Sequence, residues 1–358
     1  MGNAGPLRVV VWATGGVGAI AARAIRRRPG VDPVGVWVHT PAKVGVDVGT
    51  LLGDEPYGVL TTGSLDDVVA LAPDCVCYCG AGPGNEATTL DDYDRLLRAG
   101  IDVVTVTTPG LVHPAGFDAA TRDRLAAAAA AGGATLYASG IEPGFAADHL
   151  VLTLLTLSDT IVSVRAQELF DYAAYPVEFV IFDVFGFGRP LDFPPIMALP
   201  GVQSGSWGPQ VRMVADALGV TLDGIRETYD RALTDRRIEA AAGVVEAGTV
   251  GAIRMETIGV VDGRDAIVIE HVNRMAPDVA PHWPIGERDG TYRIVVDGEP
   301  ELRCELTLGT PETASAAGMV ATTMRIVNAV PATCAAPPGL VSALDLPLTL
   351  PTDPFRTP

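Results

Sequence analysis

The stretch LRVVVWATGGVGAIAARAIRRRPG at residues 7–30 constrains the fold more than any other part of the sequence. A valine-rich run breaks into a cluster of small residues, and a helical pattern follows at once. Further strand signals occur at Val34–Val38, Asp74–Tyr78, Asp102–Val106 and Thr135–Tyr137, with helical patterns at Gly16–Arg28, Glu86–Ala99 and Phe117–Ala131 between them. Repeated strand–helix units predict a doubly wound parallel sheet with helices on both faces.

The pattern changes after Gly144. Longer alternating strands follow, and Asp-Gly pairs at residues 262–263, 289–290 and 297–298 are typical of antiparallel hairpins. Helical periodicity returns at Ala314–Ala329, and a proline-rich apolar stretch closes the chain. We therefore expect a nucleotide-binding domain over residues 1–145 and a mixed-sheet domain over 146–313. A helix and tail over 314–358 are expected to return to the first domain.

Composition limits the partners of the chain. The formal net charge of −18 argues against a nucleic-acid or anionic-membrane partner, because both require a basic face. Cys75, Cys77 and Cys79 alternate along one strand without the paired spacing of zinc sites, so we interpret them as core residues and expect no metal site. The N-terminal region has no secretory-signal pattern, which favours a cytoplasmic protein.

The small residues after the first strand match a phosphate-binding turn. ATGGVG corresponds to the pattern G-x-G-x-x-G, with alanine in the first position. The second glycine lets the backbone approach a pyrophosphate, and the N–H groups at the start of the next helix favour its charge. We predict that this turn binds a dinucleotide through Ala13, Thr14, Gly15, Gly16, Val17 and Gly18.

The end of the second strand bears on the choice of cofactor. NAD-specific sheets place Asp or Glu there to bind the ribose 2′-OH. This chain instead has His39, Thr40 and Lys43, which suit a 2′-phosphate. The sequence therefore favours NADP(H), with NAD(H) as the alternative; an ordinary solvated loop is the other interpretation of these residues.

Three further segments follow the carboxyl ends of predicted strands, where open α/β sheets bind ligands. CGAGPGNE (79–86) and TTPGLVHP (107–114) contribute nucleotide-side candidates, namely Cys79, Gly80, Ala81 and Thr107. The second segment also contributes Thr108 and His113, whose imidazole suits proton transfer near neutral pH. SGIEPGFAADH (139–149) places Glu142 beside a Pro-Gly turn, at the predicted boundary between the domains.

Several motifs together carry a family resemblance: RVVVWATGGVG, HTPAKVGVDVG, SGIEPGF, FDVFGFGRP and APPGLVSALDLPL. With these motifs the chain resembles the dihydrodipicolinate-reductase-like oxidoreductases related to 2,4-diaminopentanoate dehydrogenase and the native amine dehydrogenases. The resemblance implies a Rossmann domain, a mixed α/β domain for substrate and dimer contacts, and nicotinamide-dependent reduction of C=N or C=O.

The sequence also departs from this family pattern. The amine dehydrogenases carry a catalytic glutamate near the position of Thr107, Thr108 and Pro109, whereas this chain has no acidic residue there. Glu142 stands where relatives usually show Asn. We hypothesise that Glu142 anchors an amine or acts as an acid or base; the alternative is a carboxylate that accepts backbone N–H bonds at the next helix start.

These features predict an NAD(P)-dependent oxidoreductase that acts on a fairly apolar ketone or alcohol and forms a homodimer. The predicted catalytic residues are Glu142, His113 and Thr108. Residues of the second domain that can contact the substrate, or can be ordinary packing, are Tyr172, Tyr175, His282 and Trp283. Two alternatives stay open: an amine dehydrogenase in which Glu142 replaces the family glutamate, and a non-catalytic nucleotide-sensing protein.

Overall fold

The computed structural model of the chain describes residues 5–80, 85–310, 312–352 and 355. The chain divides into two compact units. The first consists of Met1–Gly144 with Met319–Pro358, and the second consists of Phe145–Gly318. Each unit has its own β-sheet and its own buried core.

The first unit is built on a seven-stranded sheet. Its strands are β1 (Leu7–Trp12), β2 (Val31–Trp37), β3 (Thr61–Thr62), β4 (Cys75–Tyr78), β5 (Asp102–Thr105), β6 (Thr135–Ala138) and β15 (Gly339–Val341). They lie in the order β15-β6-β5-β4-β1-β2-β3, and every adjacent pair is parallel. This topology confirms the predicted doubly wound sheet and has the strand order of a Rossmann fold.

Helices cover both faces of this sheet. They are α1 (Gly16–Arg26), α2 (Val48–Leu52), α3 (Leu65–Ala70), α4 (Glu86–Arg98), α5 (Ala119–Gly132) and the larger part of α9 (Ala314–Ala335). Local chemistry sets some of their ends: the Asp118 carboxylate caps α5 by accepting the Thr121 N–H, and Gly133 ends it with a positive φ. Cys75 and Cys77 are fully buried in the core between the sheet and α1, as the strand pattern predicted.

The second unit contains a six-stranded mixed sheet. Its strands are β7 (Thr160–Asp171), β8 (Gly224–Leu233), β11 (Val250–Val261), β12 (Arg264–Arg274), β13 (Thr291–Glu299) and β14 (Leu302–Thr307). They lie in the order β14-β13-β7-β12-β11-β8, and only the β7–β12 pair is parallel. Strands β9 (Ile238–Ala240) and β10 (Gly243–Val245) form a separate small hairpin. The predicted mixed-sheet architecture is confirmed.

The two faces of this sheet differ in chemistry. One face packs against α6 (His149–Leu155), α7 (Val202–Ser206) and α8 (Gly208–Leu218) through an apolar core. That core includes Ile253 and Met255 of β11 and Ile269 of β12. The other face carries alternating arginine and glutamate side chains, so the strands place polar residues outward at every second position.

Of the predicted turns one is correct and one is wrong, and Asp289–Gly290 forms a bend directly before β13 and joins no hairpin. Asp262 and Gly263 form the β11–β12 hairpin, and both have the positive φ that such a turn requires. Asp297 and Gly298 lie inside β13, at a register shift against β7, and do not form a turn. A Cβ on Gly298 would approach the Thr160 carbonyl oxygen to 2.2 Å, so glycine is required there by the close contact between strands.

In the described part of the chain, no helix is both long and apolar enough to cross a membrane.

Candidate functional site

The predicted nucleotide and catalytic segments of the first unit emerge at one edge of its sheet. Strands β1, β2, β4, β5 and β6 run in the same direction, so their carboxyl ends lie side by side. The segments that follow these ends are residues 13–18, 38–43, 79–80, 106–113 and 139–144. In open α/β sheets this edge is the ligand-binding edge.

The β1–α1 turn has the geometry of a phosphate-binding turn. Ala13, in the first glycine position of the pattern, has a φ of +82°, and its N–H donates to the Trp37 carbonyl of β2. A Cβ on Gly18 would lie 2.1 Å from the Ala13 carbonyl oxygen, which explains why the third glycine is needed. A Cβ on Gly15 would meet nothing within 4 Å, so the backbone faces open space at the second glycine.

The remaining residues of the turn complete its surface. Thr14 and Val17 are half-buried, and Gly16 begins α1. Gly15 is the N-cap of α1 and has no side chain with which to satisfy the first N–H groups of the helix. Those N–H groups have no intrahelical acceptor, and N–H groups at such a helix start are suited to bind an anion.

The end of β2 presents polar and cationic groups. His39 and Thr40 are exposed, and Lys43 lies half-buried in the short 3₁₀ turn Pro41–Lys43. Lys43 is the single lysine of the sequence. The first carboxylate after β2 is that of Asp47, which accepts N–H bonds from residues of its own loop, including Thr50, Tyr57 and Gly58. Between β2 and Asp47, residues 38–46, all of which the structure describes, include no acidic side chain.

Hydroxyl groups connect the ends of β4 and β5. Thr107 Oγ1 donates to the Gly80 carbonyl at 2.9 Å, and Thr108 Oγ1 donates to Tyr93 Oη at 3.3 Å. Cys79 lies next to Gly80, with its Sγ atom 3.8 Å from that of Cys77. The structure therefore brings Thr107, Thr108 and Gly80 together. Ala81, the fourth candidate of the β4 segment, lies outside the described residues.

The two candidate proton-transfer residues lie in the loops after β5 and β6. His113 is 5% exposed and joins two short 3₁₀ turns, Pro109–Val112 and Pro114–Gly116. Glu142 is half-buried in the loop of residues 139–144. Both residues are therefore at the ligand-binding edge, His113 in the more buried position.

The loop that carries Glu142 is held by helix α9. Arg325 Nη2 donates to the Gly144 carbonyl at 3.2 Å and to Tyr137 Oη at 3.1 Å, and its Nε donates to Ser139 Oγ at 3.3 Å. The Ile141 N–H donates to Thr322 Oγ1, also on α9, at 3.3 Å. These bonds fix both ends of the loop, so the backbone on either side of Glu142 has a defined position.

The predicted substrate residues of the second unit form two aromatic pairs. Tyr172 follows β7 and stacks on Tyr175, with ring centroids 5.8 Å apart. Tyr175 is 37% exposed. His282 and Trp283 contact each other edge to face at 6.0 Å, with Trp283 packed against the core and His282 exposed.

The chain is similar to known dehydrogenases. The sequence model of the 2,4-diaminopentanoate dehydrogenase C-terminal domain family matches residues 145–352. An amine dehydrogenase of Streptomyces virginiae is 40% identical over 349 residues, covering 96% of each chain. The chain belongs to the 2,4-diaminopentanoate dehydrogenase family.

Two further known proteins are similar to the chain over nearly its whole length. The 2,4-diaminopentanoate dehydrogenase of Acetoanaerobium sticklandii is 23% identical over 363 residues, covering 96% of this chain and 94% of that protein. The structure of an amine dehydrogenase from Mycobacterium smegmatis has the same fold, with a TM-score of 0.78 at 22% identity, over 96% of this chain and 97% of that one. The predicted family resemblance is confirmed.

Membership of this family defines the enzyme class. The protein is an oxidoreductase with an NAD-binding Rossmann fold, and it is a dehydrogenase that acts on CH–NH₂ or CH–OH groups. In the described residues, no group of three or more His, Cys, Asp or Glu side chains is arranged to hold a metal ion.

Sequence reasoning missed a polar cluster in the second unit. Glu168 of β7 and His271 and Asn273 of β12 lie on the sheet face that the helices cover. Their signal was in the sequence: in DAIVIEHVNRM, His271 and Asn273 occupy the same alternating positions as the core residues Ile267 and Ile269. Polar residues at inward positions of a strand indicate a function or a buried network.

Proposed function

We propose that this chain is an NAD(P)-dependent amine dehydrogenase, which interconverts a primary amine and the corresponding carbonyl compound. The observation that carries the proposal is Glu142, a half-buried carboxylate in a loop fixed by Arg325 at the ligand-binding edge. The relative from Streptomyces virginiae, 40% identical along nearly the whole chain and named amine dehydrogenase, supports it.

The first unit fits a nicotinamide dinucleotide. Open space at Gly15 admits a diphosphate to the backbone, and the uncapped start of α1 at Gly16 offers N–H donors to its charge. Residues 13–18 would hold this diphosphate, while Cys79, Gly80 and Thr107 would border the nicotinamide half. The nicotinamide supplies the hydride chemistry when bound.

The 2′-phosphate of NADP(H) has suitable partners at the end of β2. His39, Thr40 and Lys43 would bind it, and no carboxylate stands in the position that selects the 2′-OH of NAD. We therefore propose NADP(H) as the preferred cofactor, with NAD(H) as a weaker one.

The proton transfers are assigned to residues at the same edge. Glu142 would accept a proton from the substrate ammonium, which leaves a neutral amine for oxidation, and would return it in the reductive direction. His113 is a second proton donor, buried after β5, and Thr108 positions this segment through its bond to Tyr93. Tyr172, Tyr175, His282 and Trp283 are proposed to contact the apolar part of the substrate.

A ketone panel tests the reaction. Purified protein, NADPH and each ketone are mixed with and without ammonia, and oxidation of NADPH is followed by absorbance. Oxidation that requires ammonia supports the amine dehydrogenase. Oxidation without ammonia identifies a ketone reductase, and no oxidation over a broad panel of ketones and aldehydes supports a nucleotide-sensing protein.

The variant Glu142→Gln tests the assignment of the carboxylate. It keeps the shape of the side chain but removes its basicity, so we expect kcat to fall about 100-fold or more with unchanged NADPH affinity. Asp123→Asn, which removes a charge from an exposed ion pair, is the control. Unchanged turnover and substrate affinity in Glu142→Gln would discard the role of Glu142.

We also propose a homodimer that uses the outer face of the six-stranded sheet. Arg165 contacts both Glu256 and Glu270 on this face, and Glu270 is 1% exposed. The charged side chains of this face already pair with one another. Burying the face against a second copy of the chain would therefore carry a smaller desolvation penalty than burying unpaired charges. Light scattering of the purified protein tests this: a mass near 37.2 kDa would identify a monomer instead.

A further inference from the structure

Carboxylates on the two faces of the second unit's sheet have different partners. On the outer face, Glu270 contacts Arg165 at 2.6 Å and Arg254 at 2.7 Å. On the helix-covered face, Glu168 is half-buried, and no ion pair found among the described residues includes it. Glu168 is thus a carboxylate at the edge of the core to which no cationic side chain of the described residues is bound.

Two neutral donors hold the Glu168 carboxylate in place. Tyr172 Oη donates to Glu168 Oε1 at 2.9 Å, and Asn273 Nδ2 donates to the same oxygen at 3.2 Å. Both bonds use Oε1. They orient the carboxylate without neutralising its charge, which leaves it able to attract a cation from a ligand.

The Asn273 side chain provides a second acceptor. It is 0% exposed, and because its Nδ2 atom donates to Glu168, its Oδ1 atom points elsewhere. Within the described part of the chain, Oδ1 has no hydrogen-bond partner. A buried amide oxygen without a partner is costly, so an N–H donor from a ligand at this position would be favourable.

His271 does not supply the missing positive charge. It lies directly opposite Glu168 in the β7–β12 pair, and its ring packs on Trp207 with centroids 4.3 Å apart. Burial lowers the pKa of His271, against the opposing influence of Glu168 and Glu270, so the imidazole is neutral at neutral pH.

Aromatic rings surround the Tyr172 side of the cluster. Besides Tyr175, Tyr172 contacts Phe185 at 5.6 Å and Phe187 at 6.4 Å between ring centroids. Aromatic faces attract cations and pack against alkyl groups. The cluster therefore combines one negative charge and an unsatisfied acceptor next to the exposed ring of Tyr175, all of which suit an alkylammonium group.

We propose that Glu168, Tyr172 and Asn273 form a recognition site for an alkylammonium group within the second unit, which makes Glu168 a residue that selects for amines. The site favours a charged amine over an alcohol or a carboxylate of the same carbon skeleton. This inference rests on the proposed amine dehydrogenase function and concerns recognition of the amine only.

Binding to the NADPH complex tests the proposal without turnover. An amine is not reduced by NADPH, so cyclohexylamine, cyclohexanol and cyclohexanecarboxylate can each be titrated into the complex by calorimetry. We expect the wild-type protein to bind the amine at least tenfold more tightly than the alcohol. In Glu168→Gln, this preference should fall to within about twofold.

Two further variants test whether the loss of amine preference is specific to the Glu168 site. Asp265→Asn removes one charge from the same sheet, in a pair whose side chains are both 51% exposed, and should keep the wild-type preference. Tyr172→Phe keeps the carboxylate but removes one of its anchors, and should weaken amine binding several-fold with alcohol binding unchanged. It also replaces Glu168→Gln as the test if that variant does not fold.

The outcomes separate this inference from the proposed function. A wild-type protein without a preference for the amine, or a Glu168→Gln variant that keeps the preference with normal NADPH affinity, would overturn the ammonium site alone. Failure of the wild-type protein to bind NADPH would instead overturn the proposed function.

Discussion

Ala13 shows how a single residue can depart from a motif while the backbone keeps to it. The first position of the phosphate-binding pattern is usually glycine because its φ is positive, and Ala13 has a φ of +82°. Alanine in this conformation costs about 1–2 kcal/mol. The turn therefore keeps its shape despite the missing glycine, and the sequence prediction did not depend on a perfect match.

The prediction that the protein prefers NADP(H) to NAD(H) depends mainly on Lys43. As the single lysine of the chain, located just after β2, it is the proposed partner of a 2′-phosphate. Lys43→Ala should raise the Kd of NADPH about tenfold, since a charge-assisted hydrogen bond contributes about 1.5–3 kcal/mol. The Kd of NADH should change less than about twofold, as measured by fluorescence titration with both nucleotides. An equal effect on both would show that Lys43 does not contact the 2′-phosphate.

The contacts that helix α9 makes with the loop of residues 139–144 could not be predicted from the sequence. The alternating pattern of the first half predicted β1, β4 and β5 and the helices α1, α4 and α5, because each is defined by local periodicity. The short elements α2, β3 and α3 were not predicted. The hydrogen bond from Arg325 to Gly144 spans 181 residues, and no local pattern connects the two. The polar cluster around Glu168 had a local signal in β12, but its contacts between β7 and β12 could not be predicted from either strand alone.

The loop that carries Glu142 should depend on this helix. Arg325→Met removes three donated hydrogen bonds and keeps most of the apolar side chain. We expect a loss of about 2 kcal/mol in the free energy of unfolding, together with a lower kcat, because the loop is released. Chemical denaturation and steady-state kinetics measure the two effects. Arg122→Met, in an exposed pair with Asp123, should leave both nearly unchanged.

For the molecule as a whole, the charged outer face of the second unit links stability to pH. Burial raises the pKa of Glu270, but Arg165, Gln167 and Arg254 together lower this pKa by more than burial raises it. The pKa of Glu270 therefore lies below its ordinary value of 4.5. A carboxyl with a depressed folded-state pKa stabilises the fold above its unfolded pKa, and this contribution is lost as the pH falls below about 4.5.

Glu270→Gln should therefore destabilise the protein by about 3 kcal/mol at pH 7, since it removes one partner of a buried ion pair. The difference from the wild type should shrink as the pH falls below about 4.5, in thermal or urea unfolding measured across the acid range. Glu301→Gln, at an exposed position between β13 and β14, is the matched control. A difference that stays constant down to low pH would contradict this account.

The backbone at Gly15 is proposed to contact the diphosphate of a nicotinamide cofactor. Calorimetric titration of NADPH into Gly15→Val tests it most directly, because a Cβ at Gly15 meets nothing within 4 Å and its φ of −71° accepts any residue. Gly224→Val, which is equally open in the second unit, is the control. We predict normal thermal stability for both variants and loss of NADPH binding in Gly15→Val alone. Wild-type affinity for NADPH in a folded Gly15→Val protein would contradict the account.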